Sequence, residues 1–321
     1  MQSALNAPQL CNEAAAIAYV ESRIWPDGPV CPHCGTIGQA TRLKGKSTRP
    51  GLLKCRACRK PFTVRMGTVF ESSHVPLYIW LQAIYMMCSS KKGIATRQLH
   101  RTFGGSLKTA WFLGHRIREA MTVLKVENTD PFGNDNQLGG ENLVVEADET
   151  FIGGKAANRK GKIPPKAPVL SLVERDGRVR SFHVPNVTAQ TLKPIIVANV
   201  NKATYLMTDD APVYWPIGSE FSGHGTVNHS AEEYVRAAFW HTNTVENFFS
   251  IFKRGIYGCY FHVSETHLHR YAAEFDFRHN HRIALGVDDL ERTDRAIIGA
   301  KGKRLTYETT TLARRPTPPP F

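Results

Sequence analysis

Two Cys-x-x-Cys pairs, Cys31-Pro-His-Cys34 and Cys55-Arg-Ala-Cys58, stand about 20 residues apart in a stretch too poor in apolar residues to hold a core of its own. Each pair offers two thiolates from a tight turn, and four thiolates complete the tetrahedron that structural zinc prefers. Residues 1–65 are therefore expected to form a short helix, Glu13 to Arg23, and a zinc ribbon whose Zn²⁺ is held by Cys31, Cys34, Cys55 and Cys58. His33, inside the first pair, reads as a bystander. The start of the chain lacks the basic, apolar, small-residue pattern of a secretory leader, which places it in a reducing cytoplasm and leaves its thiols free for metal. Cys11, Cys88 and Cys259 sit among apolar residues and read as ordinary buried side chains.

The chain of 321 residues carries 41 Lys and Arg along its whole length, a formal net charge of +13 and a pI near 9.5. That excess points to a polyanionic partner, double-stranded DNA first, with the protein on the nucleoid when bound. Lys44, Lys46, Arg49, Lys54, Arg56, Arg59 and Lys60 put much of this charge on the ribbon, where backbone phosphates are its natural use. The best apolar run, Val75 to Met87, carries Gln82 and two Tyr and is too short for a membrane helix.

The length suits several domains. Residues 66–127 hold three helical runs, Pro76 to Ser89, Ile94 to Phe103 and Ser106 to Lys125, broken at Lys91-Lys92-Gly93 and Gly104-Gly105. They read as a helix-turn-helix-like DNA-binding region. Its third run, with Lys108, His115, Arg116, Arg118 and Lys125, is the one expected against DNA.

After an Asn/Asp/Gly-rich linker at 128–141 the pattern turns to strands: Leu143 to Ala147, Pro168 to Glu174 and Val179 to Val184, with Arg175-Asp176-Gly177 as a hairpin turn. A helix (Ala189 to Val200), a strand (Thr204 to Thr208), a helix near Ala211 to Ile217 and a strand at Thr226 to Asn228 follow. Two long helices, Thr242 to Gly255 and Ser264 to Asn280, close residues 141–285. The order is that of a mixed α/β sheet covered by helices. Residues 286–321 form an extension whose Pro-rich end, Arg314 to Pro320, reads as a disordered tail.

Phosphoryl transfer on DNA calls for carboxylates that hold two Mg²⁺ or Mn²⁺ ions about the scissile phosphate. Asp148 closes the first expected strand, Asp209 closes the fourth, and Glu246 starts a long helix, so the three can converge at a sheet edge. Strand alternation places Glu146 on the face of Asp148, with Glu149 opposite. Glu146 and Asp210 thus stand as rivals for a place in the site.

These residues resemble bacterial insertion-sequence transposases of the DDE type with an N-terminal zinc ribbon. The resemblance runs through Glu146-Ala-Asp-Glu-Thr-Phe-Ile-Gly-Gly154, through Thr208-Asp209 followed by Tyr214, and above all through His241 to Arg282, HTNTVENFFSIFKRGIYGCYFHVSETHLHRYAAEFDFRHNHR. With the ribbon it spans about residues 15 to 285. It implies a multidomain protein with a ribonuclease-H-like core and a mixed five-stranded sheet, in which Asp148, Asp209 and Glu246 bind divalent metal. Related members carry Asn as the third residue, which makes Asn243, one turn before Glu246, the alternative third ligand; an anionic oxygen binds Mg²⁺ better than an amide, which favours Glu246. Lys253 matches the family's basic partner, two helical turns after Glu246 and suited to a phosphate near the element's end. Arg278 and Asn280 match its closing motif, bracing the core or touching DNA. His241 reads as a structural or DNA-positioning residue.

The aromatics Phe248, Phe249, Phe252, Tyr257, Tyr260 and Phe261 read as core. Lys108, Arg116, Lys155, Lys253, Arg254 and Arg278 are the candidate DNA contacts, Lys155 in a basic loop expected over 153–166. The function expected is recognition of terminal inverted repeats, metal-dependent cleavage and strand transfer by a homo-oligomer that pairs two ends. A zinc-ribbon regulator without enzymatic activity, or a nuclease that does not join, are the other readings.

Overall fold

The computed structural model describes residues 3–122, 137–153, 165–227 and 241–306. Lys125, Lys155 and the Pro-rich tail lie outside the described residues. The chain divides into two compact units: Met1–Ile84 with Thr96–Ala120 and Ala296–Phe321, and Tyr85–Ala95 with Met121–Arg295.

In the first unit, helix α1 (Glu13–Ile24) begins where the Asn12 side chain accepts the N–H of Ala15. Its Ala16, Ile17, Val20 and Ile24 fall at helical spacing and are buried. Strands β1 (Ala40–Arg42), β2 (Leu53–Cys55) and β3 (Pro61–Phe62) form an antiparallel three-stranded sheet in that order. Gly51, in the turn before β2, has φ +76°, and a Cβ there would lie 2.9 Å from Ile17 Cγ2. The turn can therefore approach α1 only as glycine.

Helices α2 (Leu77–Ser89), α3 (Thr96–Phe103) and α4 (Leu107–Met121) follow the three expected runs closely. Three of the basic side chains of helix α4 that were expected against DNA lie inside the unit. His115, Arg116 and Arg118 are buried with Ala110, Leu113 and Ile117. Arg116 donates from Nε to the Leu305 carbonyl at 3.0 Å and from Nη1 to the Glu71 carbonyl at 2.8 Å. Its guanidinium thus ties the returning C-terminal segment into the unit and is withdrawn from any DNA surface, whereas Lys108 is exposed.

The second unit is built on β4 (Val144–Ile152), β5 (Ala167–Glu174), β6 (Val179–His183), β7 (Tyr205–Asp209) and β8 (Gly223–Val227). The sheet order is β6-β5-β4-β7-β8, antiparallel from β6 to β4 and parallel from β4 to β8. This is the mixed five-stranded, ribonuclease-H-like core. Strand β5 is an almost unbroken apolar run because helices cover both of its faces. Leu170 and Leu172 join Val145 and Ala147 against helix α5 (Ala189–Asn199). Val169 and Val173 join Ile152 against helices α6 (Asn243–Gly255) and α7 (Glu265–Asn280). The hairpin turn between β5 and β6 forms where expected, with Asp176 at φ +55°.

Helix α7 seals the outer edge of β6. Asn280 accepts the Val179 N–H at 2.6 Å and donates to the Val179 carbonyl at 2.9 Å. Asp276 accepts the N–H and the hydroxyl of Ser181 at 2.7 and 2.6 Å. An edge strand whose backbone groups are taken by side chains cannot template another strand. Asn280 thus braces the core. Arg278, beside it, is buried and ion-paired with Glu274, so the DNA contact expected of it is corrected to a core role.

Burial pushes the Asp276 carboxyl up to about 7, against the pull of the two Ser181 donors and of Arg180. The folded chain then holds a proton that the unfolded chain releases near pH 4. Stability gained from this group is full below that value and is lost as pH rises to about 7. Denaturant unfolding of the full chain should weaken over this range by up to about 1.4 kcal/mol per pH unit relative to Asp276→Asn. Parallel pH profiles for the two proteins would refute the assignment.

Candidate functional sites

The ribbon brings its four cysteines together. Their sulfurs all lie within 4.8 Å of one another, with Cys31 to Cys58 at 3.6 Å and Cys34 to Cys55 at 3.7 Å. A tetrahedron with Zn–S bonds of about 2.3 Å sets its sulfurs about 3.8 Å apart, so the cluster has the size zinc requires. Cys31 and Cys55 are buried, and they join Leu53 and Phe62 in a very small core. His33 stays outside the cluster, its Nε2 3.2 Å from the Pro61 carbonyl. Cys88 is buried as expected, but Cys11 is exposed. Lys44, Lys46, Arg49, Lys54, Arg56, Arg59 and Lys60 are all exposed.

In the second unit, strand β4 runs past the expected end at Ala147 to Ile152, and Asp148 sits within it rather than at its close. The pairing of β4 with β7 explains why this still makes a site. Their registered pairs end at Glu146 with Met207. Asp148 and Asp209 each lie two residues further on, side by side on neighbouring parallel strands and on one face. Beyond that point β4 pairs with β5, with Asp148 opposite Ser171. Asp148 thus lies beside the carboxyl end of β7, the usual place for a site in such a sheet.

That face of β4 is the one covered by α6, whose first turn carries Glu246. Burial first, and next the charge of Glu149, pushes the Asp148 carboxyl up to about 7; Asp209 and Glu246 add to the push and the Glu149 N–H opposes it. The negative charge gathered around Asp148 makes a site that a divalent cation would relieve. The carboxylate oxygens there do not form a group within 4.8 Å, as the cysteine sulfurs do among the described residues. A pair of ions about 4 Å apart spreads its ligands in this way. Asp209 acts on Asp148, while its rival Asp210 is exposed. Asn243 and Glu246 are both exposed, one turn apart on α6.

Glu149 is nearer to the site than its opposite face implied. Tyr214 donates its hydroxyl to Glu149 Oε2 at 2.6 Å, and the Glu149 N–H donates to Asp148 Oδ1 at 2.7 Å. Burial raises the Glu149 carboxyl as well. Glu146 is a different case. It is fully buried, and its oxygens are occupied by Arg175 and by the start of α6. Lys253 and Arg254 are exposed in the last turn of α6. Among the aromatics, Phe248, Phe249 and Phe252 are core and Tyr257 and Tyr260 pack against it. Phe261 is not core: it follows the π turn Ile256–Tyr260, has φ +62° and is 76% exposed.

Residues 11–61 match the family model of a transposase zinc-ribbon domain, and residues 137–280 match that of an ISXO2-like transposase domain. Together the two matches span well over half of the chain. The chain belongs to the zinc-ribbon, ISXO2-like transposases. The transposase is 24% identical over 260 residues to an uncharacterized protein in transposable element ISH50 of Halobacterium salinarum, covering 79% of this chain and 86% of that one. Among solved structures, a chain of the simian T-cell lymphotropic virus intasome in complex with PP2A regulatory subunit B56 gamma aligns over 56% of this transposase and 63% of that chain. The identity is 14% and the TM-score 0.28, a likeness too slight to bear on fold or partners. No helix among the described residues is long and apolar enough to cross a membrane.

Proposed function

We propose that this transposase cuts DNA at the ends of an insertion sequence and joins the freed 3′ ends to a target. The observation that carries this is the juxtaposition of Asp148 and Asp209 on adjacent strands, with the Glu246 helix packed over the same face. Bound Mg²⁺ or Mn²⁺ would supply Lewis-acid stabilisation of the attacking and leaving oxygens. Asp148, Asp209 and Glu246 would hold those ions, with Glu149 beside them. Asn243 is the alternative to Glu246.

In the first step water adds to the phosphorus at the element's end, the P–O3′ bond breaks and a 3′-hydroxyl is released. In the second, that hydroxyl adds to a target phosphorus while the target's own P–O3′ bond breaks. One phosphodiester is exchanged for another, so joining needs no further energy source. Lys253, exposed two turns beyond Glu246, would fix a phosphate of the end, with Arg254 beside it. The exposed cations of the ribbon and Lys108 would bind the terminal repeats, and two or more protomers would pair the ends.

Duplexes carrying the element's own ends, incubated with the full chain and Mg²⁺, test this. Nicked and joined products are expected, and both should vanish when Mg²⁺ is left out while zinc is kept. End binding without cleavage at any Mg²⁺ or Mn²⁺ concentration would leave a zinc-ribbon regulator instead, and cleavage without joining a nuclease.

A further inference from the structure

Glu146 is buried in β4 two residues before Asp148, and three of its side-chain hydrogen bonds go to the first turn of the helix that bears Glu246. Oε2 accepts the backbone N–H groups of Thr244 and Val245 at 2.8 and 3.0 Å, and Oε1 accepts the Thr244 hydroxyl at 2.9 Å. Arg175 donates from Nε to Oε1 at 2.8 Å and from its other arm to the His241 carbonyl at 3.0 Å, while His241 Nδ1 lies 3.2 Å from Oε1. The first N–H groups of a helix have no partner within it and are ordinarily met by the residue at its N-cap. Thr242, at that position of α6, makes no side-chain cap bond. A carboxylate from another strand does the work of the cap.

We infer that Glu146, oriented by Arg175, is a positioning residue that docks the start of α6 onto β4 and so fixes Glu246 relative to Asp148. This rests on the proposed metal-dependent chemistry for its consequence, though not for the docking itself. The clamp joins residues two positions before Asp148 to residues one and two positions before Glu246. A shift of the helix would change the separation of the two candidate ligands directly. Groups that orient metal ligands without touching the metal typically alter its affinity by about 10- to 100-fold when replaced. Gln at 146 keeps the size, but it presents an amide NH₂ where at least one donor now arrives.

Hydrogen exchange and Mg²⁺ titration of the full chain test the clamp together. In Glu146→Gln, the amides of Thr244 and Val245 should exchange faster than in the wild type while those of β5 stay protected. The Mg²⁺ concentration for half-maximal end cleavage should rise by about tenfold or more, with cleavage recovered at high metal. Thr244→Val should show a smaller shift in the same direction and Thr244→Ser should restore the wild-type requirement; these two hold the test open if Glu146→Gln does not fold. Unchanged exchange and an unchanged metal requirement would overturn the inference. So would a Glu146→Gln protein with normal exchange and no cleavage at any Mg²⁺ concentration, the behaviour of a direct ligand. If the wild type itself cuts nothing, the proposed function fails, and the exchange result still decides the docking.

Discussion

Replacing Asp148 by Asn is expected to lower metal-dependent cleavage and joining on the order of 10³-fold or more, while the protein stays folded and still binds the element's ends. Removing one anionic ligand from a two-ion site forfeits several kcal/mol of charge stabilisation in the transition state, and each factor of ten in rate is about 1.4 kcal/mol. The separation of activity from folding follows from the surroundings of Asp148. Burial and the charges of Glu149, Asp209 and Glu246 all disfavour its ionised form, opposed by the Glu149 N–H. At pH 8 without metal the carboxylate therefore strains the fold, and a neutral amide of the same shape relieves it. With zinc retained and no Mg²⁺ or Mn²⁺ added, the variant should unfold at the wild-type temperature or above it. Cleavage that persists in Asp148→Asn would remove this residue from the site. Loss of cleavage together with a lowered unfolding temperature would mean that the residue is structural.

The frame of the site was legible because it depends on local pattern. Alternation along Val144 to Ile152 puts Glu146 and Asp148 on one face, and the apolar run of β5 announces a strand covered on both sides. The extent of β4 was misjudged at its polar stretch, where Asp148, Glu149 and Thr150 look like a turn but continue to pair with β5. What local pattern cannot supply is the partner of a buried polar group. Glu146 meets Thr244 across nearly a hundred residues of chain, and nothing near either residue announces the other. For the two buried cations the signal lay closer at hand. Arg116 neighbours the buried Ile117, and Arg278 follows the buried Phe277 and pairs with Glu274, four residues earlier and itself buried. The i,i+4 pairing of Glu274 with Arg278 was readable and argued for a satisfied core pair rather than a DNA contact. Phe261 was placed inside by its aromatic neighbours, but the π turn before it swings it outward.

Replacing Cys55 by Ser should unfold the ribbon, and the effect should be as large as that at Asp148 but of a different kind. Apart from its thiolates, the three-stranded sheet buries little besides Leu53 and Phe62, with Trp25 edge-on to Phe62 at a ring separation of 5.8 Å. A core of that size supplies only a few kcal/mol, whereas zinc held by four thiolates contributes on the order of 10 kcal/mol to folding such a segment. Cys55 is 1% exposed, so a serine hydroxyl there is a poor zinc ligand with no water to replace the lost bond. The expected result is a fall in bound zinc, measured by elemental analysis, with fast hydrogen exchange over residues 30–62. End binding should weaken because the cations from Lys44 to Lys60 lose their rigid frame. Amides of β5 should keep their protection, since no ribbon residue contributes to the sheet order β6-β5-β4-β7-β8. Cys11→Ser, at an exposed thiol outside the cluster, serves as the control and should keep the wild-type zinc content. A Cys55→Ser chain with full zinc and a protected ribbon would show that the four sulfurs are not the ligands, whatever their spacing.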